Sequence, residues 1–347
     1  MSDIDIRKTG CIGRITLTRP DALNALTIEM VEAISAALPG WAEDDEIAMV
    51  LIDGVGDKAF CAGGDIADIY AALVAGDPSV ARDFWRAEYR MNAALFTFPK
   101  PVASFLQGYT MGGGVGVGCH ASHRVVCASS TIAMPEVSIG LVPDVGGSLL
   151  LARAPGWVGE YLGCTATRMS AGDAIFAGFA DYFIDEARWP KLIETLEKTG
   201  DWTVIDRFSE VPPASELEAQ YTDINILFDG DRLRDTLILL RASDTDFARE
   251  TLKKLERNAP LATCGAMELV HRARVRDRID EALRGEFRFA YRLAEQGDFQ
   301  EGIRAAIIDR DWTPKWAHAT LEAPSVTEVA AMLLPLGAQE LSLEETS

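Results

Sequence analysis

The chain has 347 residues, 48% of them hydrophobic and 25% charged. That length allows two domains, or one large domain with an appendage, around a sizeable core. A formal charge of −20 argues against nucleic acid as a partner, because phosphate binding needs a basic face.

In chain order, residues 10 to 18 (GCIGRITLT) alternate like a strand, and residues 27 to 38 (TIEMVEAISAAL) carry helical spacing with Thr27 placed to cap it. The β-branched run 47–55 (IAMVLIDGV) predicts a second strand, followed by a glycine loop and a helix over about 79–98. An apolar strand at 102–106, another glycine loop, a short helix and strands near 124–128 and 131–133 continue the pattern. Strands alternating with helices predict an α/β layered core up to about residue 190. Residues 200–230, with Pro212–Pro213, read as a connection, and the spacing predicts helices over 231–241, 244–257, 260–283 and 285–295. The division expected is a core over 1–200 and a mostly helical C-terminal region over 201–347.

Two segments share one chemical possibility. KAFCAGGDI (58–66) and GYTMGGGVGVG (108–118) each follow an apolar strand and open a helix. Glycine lets a main-chain N–H approach a ligand with no Cβ in the way, and the first turn of a helix has N–H groups to spare. Two such donors aimed at one point would make an oxyanion hole. Tight packing of strand on helix explains the same glycines equally well. Gly116, Gly118 and Ala121 also fit G-x-G-x-x-A, with Glu136 18 residues on. A dinucleotide fingerprint belongs to the first strand–helix unit of its domain, however, and two units precede this one.

Further on, MPEVSIGLVPDVGG (134–147) sets Glu136 and Asp144 eight residues apart in apolar surroundings. The chain resembles the enoyl-CoA hydratase/isomerase (crotonase) superfamily through TLTRPDALNAL (16–26), both glycine loops and AMPEVSIGLVPDVGGS (133–148). Within it the chain is most similar to the 3-hydroxyisobutyryl-CoA hydrolases, through WRAEYRMN (85–92), MPEVSIGLVPDVGG and GDFQEGIRAAIIDRDWTPKW (297–316).

The resemblance implies a core of repeated strand–strand–helix units and an acyl-CoA substrate whose thioester carbonyl is held by two main-chain N–H groups, at Gly64 and Gly113. It puts the catalytic glutamate at Glu136, the second acid of the hydrolase branch at Asp144, and a pocket-lining acid at Glu88. Lys58 and Ala59 fall where relatives approach the adenine and pantetheine portions of the coenzyme, and Lys315 is a candidate for its phosphates. Coenzyme A enters as part of the substrate, so no separate cofactor and no metal are implied; relatives form homo-oligomers through their C-terminal helices. Hydratases of the superfamily carry a second glutamate two residues beyond the glycine triplet, where this chain has Gly116. Without that carboxylate, addition of water across C=C loses half its acid–base pair. The expected reaction is hydrolysis of a 3-hydroxyacyl-CoA such as 3-hydroxyisobutyryl-CoA, in valine breakdown. Hydration or isomerisation, and a silent acyl-CoA-binding subunit, are the alternatives.

Other constellations point elsewhere less well. His120 and His123 are three apart on what reads as a buried helix, but no third or fourth metal ligand completes a set. No G-x-S-x-G elbow occurs. Cys61 beside the first loop reads as a small buried residue. Arg272, Arg274, Arg276 and Arg278 alternate, which distributes charge around a helix as a solvated surface. The six cysteines form no C-x-x-C pair, which favours a reduced, cytosolic protein. MSDIDIRKTG has no apolar signal core, and no run of about 18 apolar residues occurs, so a soluble protein with no membrane partner is expected.

Overall fold

Nine strands carry the sheet structure: β1 (Ile4–Thr9), β2 (Ile12–Leu17), β3 (Met49–Gly54), β4 (Ala59–Cys61), β5 (Val102–Phe105), β6 (Tyr109–Met111), β7 (His123–Val126), β8 (Thr131–Ala133) and β9 (Tyr182–Phe183). They belong to a computed structural model that describes residues 3–343. A six-stranded sheet runs in the order β1-β2-β3-β5-β7-β9, and a three-stranded sheet in the order β4-β6-β8. Among the strands of the described residues, β1 and β2 pair antiparallel and the other strand–strand pairings are parallel.

The chain thus lays a strand in the large sheet, then one in the small sheet, three times over: β3 then β4, β5 then β6, β7 then β8. This is the strand–strand–helix repeat expected of the fold. Parallel strands covered on both faces need continuous apolar runs, and β3 and β5 supply them: Val50, Leu51, Ile52, Val102 and Phe105 are all buried. Ile12, Leu51, Phe105 and Val125 pack with Trp189, Leu192 and Leu196 of the helix Trp189–Thr199 into one apolar cluster. The helix Ile28–Glu43 begins where expected, with the Thr27 hydroxyl accepting the Met30 N–H at 3.3 Å.

The chain divides into two compact units, each assembled from separated segments. The first takes residues up to 64, 87–133 and 169–216, and holds all nine strands; the second takes 65–86, 134–168 and everything from 217 on. A single cut at 200/201 is a different division from this one, because residues 65–86 and 134–168 leave the strand-bearing segments to join the later helices. Among its described residues the second unit carries helices and loops and none of the nine strands. Its central helix, Pro260–Arg276, packs against Gly147–Arg153, Val158–Thr165 and Ile279–Leu293. The helix expected over 260–283 is in fact two, because Asp277 takes a left-handed φ of 46° and ends the first. The 200–230 connection also carries short helices, including Val204–Phe208 and Tyr221–Leu227. Among the described residues no helix is long and apolar enough to cross a membrane.

Candidate active site

The expected residues fall into two groups, one in each unit. In the first, β4 and β6 are parallel neighbours, so the glycine loops that leave them begin side by side. The first loop is tied down by RPDALNAL. The Asn24 amide donates to the carbonyls of Val55 at 3.0 Å and Ala59 at 2.9 Å, Ala62 N–H donates to Leu23, and Leu26 N–H to Gly63. Gly63 at φ +114° and Gly112 at φ +49°, ψ −116° hold conformations that side chains disfavour.

Gly113 opens the short helix Gly113–Gly118. A Cβ built on it would lie 3.2 Å from the Gly64 nitrogen, 3.4 Å from the Gly63 carbonyl carbon and 2.5 Å from Glu88 Oε1. Gly64, Gly113 and Glu88 are therefore brought together around one small space. Neither the Gly64 nor the Gly113 N–H is bonded to a main-chain acceptor among the described residues. Glu88, 2% exposed, comes from the helix Ser79–Phe96, and a carboxylate buried to that degree is held for a purpose or well compensated. Gly114, one residue on, is pressed against the Cys61 carbonyl, so it serves packing. Cys61 is itself enclosed, and burial pushes its thiol up to about 12, far from a nucleophilic thiolate at neutral pH. Ala59 is buried in β4 opposite Tyr109. Lys58 is exposed, and its carbonyl accepts the Tyr109 N–H at 3.0 Å.

Glu136 and Asp144 lie in the second unit, each 4% exposed. Glu136 opens a single 3-10 turn, Glu136–Ile139, closed by Gly140 at φ 80°. Three contacts brace that turn. Ala259 N–H donates to the Val137 carbonyl at 2.9 Å, Gly140 sits where a Cβ would meet the Asp298 carbonyl at 2.5 Å, and Gly302 presses on the Ile139 carbonyl. The late segment GDFQEGIRAAIIDRDWTPKW is thus a brace for the Glu136 turn. Lys315, from the same segment, is exposed, and its N–H donates to Glu301 at 2.8 Å.

Asp144 precedes two left-handed residues, Val145 at φ 53° and Gly146 at φ 80°, which lead into the helix Gly147–Arg153. Gly147 N–H returns to the Asp144 carbonyl at 2.6 Å. Fully buried Glu286, which sequence reasoning missed, accepts the N–H groups of Gly146 at 2.8 Å and Ser148 at 3.0 Å. Its signal was present: Ile279, Ala282, Leu283, Glu286, Phe287 and Ala290 make one buried helix stripe with a carboxylate inside it. Glu160 was overlooked in the same way. It is fully buried, and it corrects the reading of the arginine run. Arg274 is not simply solvated, since its Nη2 reaches both Glu160 oxygens at 3.0 and 2.9 Å. The histidine pair needs correction too. His123 begins β7 rather than continuing a helix, stacks on Tyr182 with ring centres 6.0 Å apart, and does not share a helical face with His120.

The enoyl-CoA hydratase/isomerase family profile matches residues 12–333. A mitochondrial 3-hydroxyisobutyryl-CoA hydrolase from Gallus gallus is 35% identical, over 99% of this chain and 91% of the relative. Among solved structures, an enoyl-CoA hydratase from Rhodobacter sphaeroides 2.4.1 is 53% identical with a TM-score of 0.94, covering 98% of this chain and 100% of that one. A carnitinyl-CoA dehydratase from Mycobacterium thermoresistibile is 38% identical, also at a TM-score of 0.94, over 99% of each chain. The names differ in the reaction they state and agree on an acyl-CoA. The chain belongs to the enoyl-CoA hydratase/isomerase (crotonase) family of acyl-CoA enzymes.

Proposed function

We propose that the protein hydrolyses a 3-hydroxyacyl-CoA thioester, with 3-hydroxyisobutyryl-CoA, an intermediate of valine breakdown, as the first substrate to test. The thioester carbonyl oxygen takes the N–H groups of Gly64 and Gly113, each such donor being worth about 2.7–4 kcal/mol to the transition state. Glu136 delivers the nucleophile. It does so either by taking a proton from water, whose oxygen attacks the carbonyl carbon, or by attacking directly to give an anhydride that water then opens. In both routes the C–S bond breaks and the coenzyme thiolate is protonated. Asp144 assists proton transfer or orients water and the substrate hydroxyl. Glu88 accepts a hydrogen bond from that hydroxyl, which favours acyl groups that carry one. Lys58, Ala59 and Lys315 are assigned to the coenzyme.

The observation that carries hydrolysis over hydration is Gly116, buried in the short helix where a hydratase needs its second carboxylate. The name of the Gallus gallus relative supports the same choice. Glu136→Gln is expected to abolish free-thiol release from 3-hydroxyisobutyryl-CoA with the melting temperature little changed; turnover near wild type would refute the assignment. Hydration of an enoyl-CoA is the second reading, favoured by the name of the Rhodobacter sphaeroides protein. Loss of the enoyl double bond without thiol release, at a rate matching or exceeding thioester cleavage, would establish it instead.

A further inference from the structure

We infer that Glu286 is a positioning residue for Asp144, holding the backbone bend that fixes where the Asp144 carboxylate stands. The inference rests on the role proposed for Asp144.

The bend needs holding. A β-branched residue such as Val145 rarely adopts a left-handed φ, and here it does so at +53°, directly followed by Gly146 at +80°. Strain of that kind persists only when the surroundings over-determine it. The next helix, Gly147–Arg153, receives no cap from its own side: Gly146 stands at the capping position and has no side chain to offer. Glu286 supplies one from 140 residues away in sequence. Its Oε2 accepts Gly146 N–H at 2.8 Å, while Oε1 accepts both the N–H of Ser148 at 3.0 Å and the Ser148 hydroxyl. Both oxygens are engaged, and every partner lies within four residues of Asp144. The carboxylate is fully buried, so no solvent competes for these donors. Asp144 in turn is joined to the same bend by its carbonyl, which accepts Gly147 N–H at 2.6 Å. Moving the Glu286 carboxylate therefore releases Val145 and Gly146 and shifts the residue before them.

A positioning role and a merely structural one separate in kinetics. Glu286→Gln keeps the side-chain volume and one carbonyl acceptor but places an NH2 against a donor. It is expected to lower kcat for thiol release from 3-hydroxyisobutyryl-CoA by roughly tenfold, the order lost when a reacting group is displaced by a fraction of an ångström. KM should stay within about twofold, because the coenzyme contacts are untouched. Asp144→Asn alone should cost more, and adding Glu286→Gln to it should cost nothing further, since there is no longer a carboxylate to place. Ser148→Ala, which removes one donor and nothing else, provides a milder version should Glu286→Gln fold poorly. It should reduce kcat by a few fold in the wild type and not at all in the Asp144→Asn background. If Asp144→Asn is crippled while Glu286→Gln and Ser148→Ala turn over normally, or if the effects multiply, the positioning role is wrong and Asp144 stands. If Asp144→Asn itself is fully active, the reading of Asp144 falls and this inference with it.

Discussion

Replacing Gly113 by alanine tests the proposed oxyanion site at its narrowest point. The backbone tolerates the change, because Gly113 is helical and not among the residues with positive φ. The new methyl would lie 2.5 Å from Glu88 Oε1 and 3.2 Å from the Gly64 nitrogen. Ordinary carbon contacts are about 3.5–4.0 Å, so Glu88 must withdraw by roughly 1 Å, which the end of a flexible side chain can do. Overpacking of this kind costs about 1–3 kcal/mol, and the softness of the displaced group puts Gly113→Ala at the lower end. Catalysis suffers more. An oxygen accepting from Gly64 must sit about 2.7–3.2 Å from its nitrogen, and the methyl occupies ground at that distance. Losing one donor lowers kcat by about 10²–10³. Gly114→Ala is the comparison, because there the added carbon meets the main-chain carbonyl of Cys61, which cannot swing away. Steady-state thiol release and thermal unfolding of both variants should therefore show Gly113→Ala folded but inactive and Gly114→Ala chiefly destabilised. A Gly113→Ala enzyme with kcat within about threefold of wild type would sink the oxyanion assignment.

Two further outcomes concern stability. Burial pushes the Glu286 carboxyl up to about 7 from 4.5, outweighing the Ser148 and Gly146 donors, with the Asp144 charge acting in the same direction. Between those values the folded state binds more protons than the unfolded one, so stability is fully present below about pH 4.5 and falls as pH rises through 7. The drop is roughly 3 kcal/mol at about 1.4 kcal/mol per pH unit. Denaturant melts at pH 5 to 8 should show that slope in wild type and not in Glu286→Gln; parallel curves would contradict it. Arg274→Ala removes the cation that meets both oxygens of the fully buried Glu160, leaving His271 Nε2 at 3.5 Å. A buried charge losing its partner costs about 3–5 kcal/mol, and partial exposure of Arg274 places the loss near about 3 kcal/mol. Chemical denaturation measures it, and a change below about 1 kcal/mol would show that the pair is screened.

Local pattern was enough for several of the elements whose burial repeats along the chain. The runs 10–18, 47–55 and 102–106 read as strands from their apolar, β-branched residues, and strands formed there; Thr27 marked its helix because a hydroxyl there meets an orphan N–H. β4 and β6 escaped notice because they lie inside the glycine-rich stretches 58–66 and 108–118, which read as loops. The break at Asp277 also escaped, since a single left-handed residue leaves little trace in the spacing of apolar side chains. Among candidate site residues, the glycines and acids were legible by type and by likeness to the family. Tertiary structure alone decided which of them meet. Parallel pairing of β4 with β6 sets Gly64 beside Gly113, and the buried face of the helix Ser79–Phe96 aims Glu88 at both. Packing likewise sends Glu286 across 140 residues of sequence to the bend after Asp144. Neither outcome is written in any short stretch of sequence, because a hydrogen bond between distant residues depends on where the whole chain has placed them.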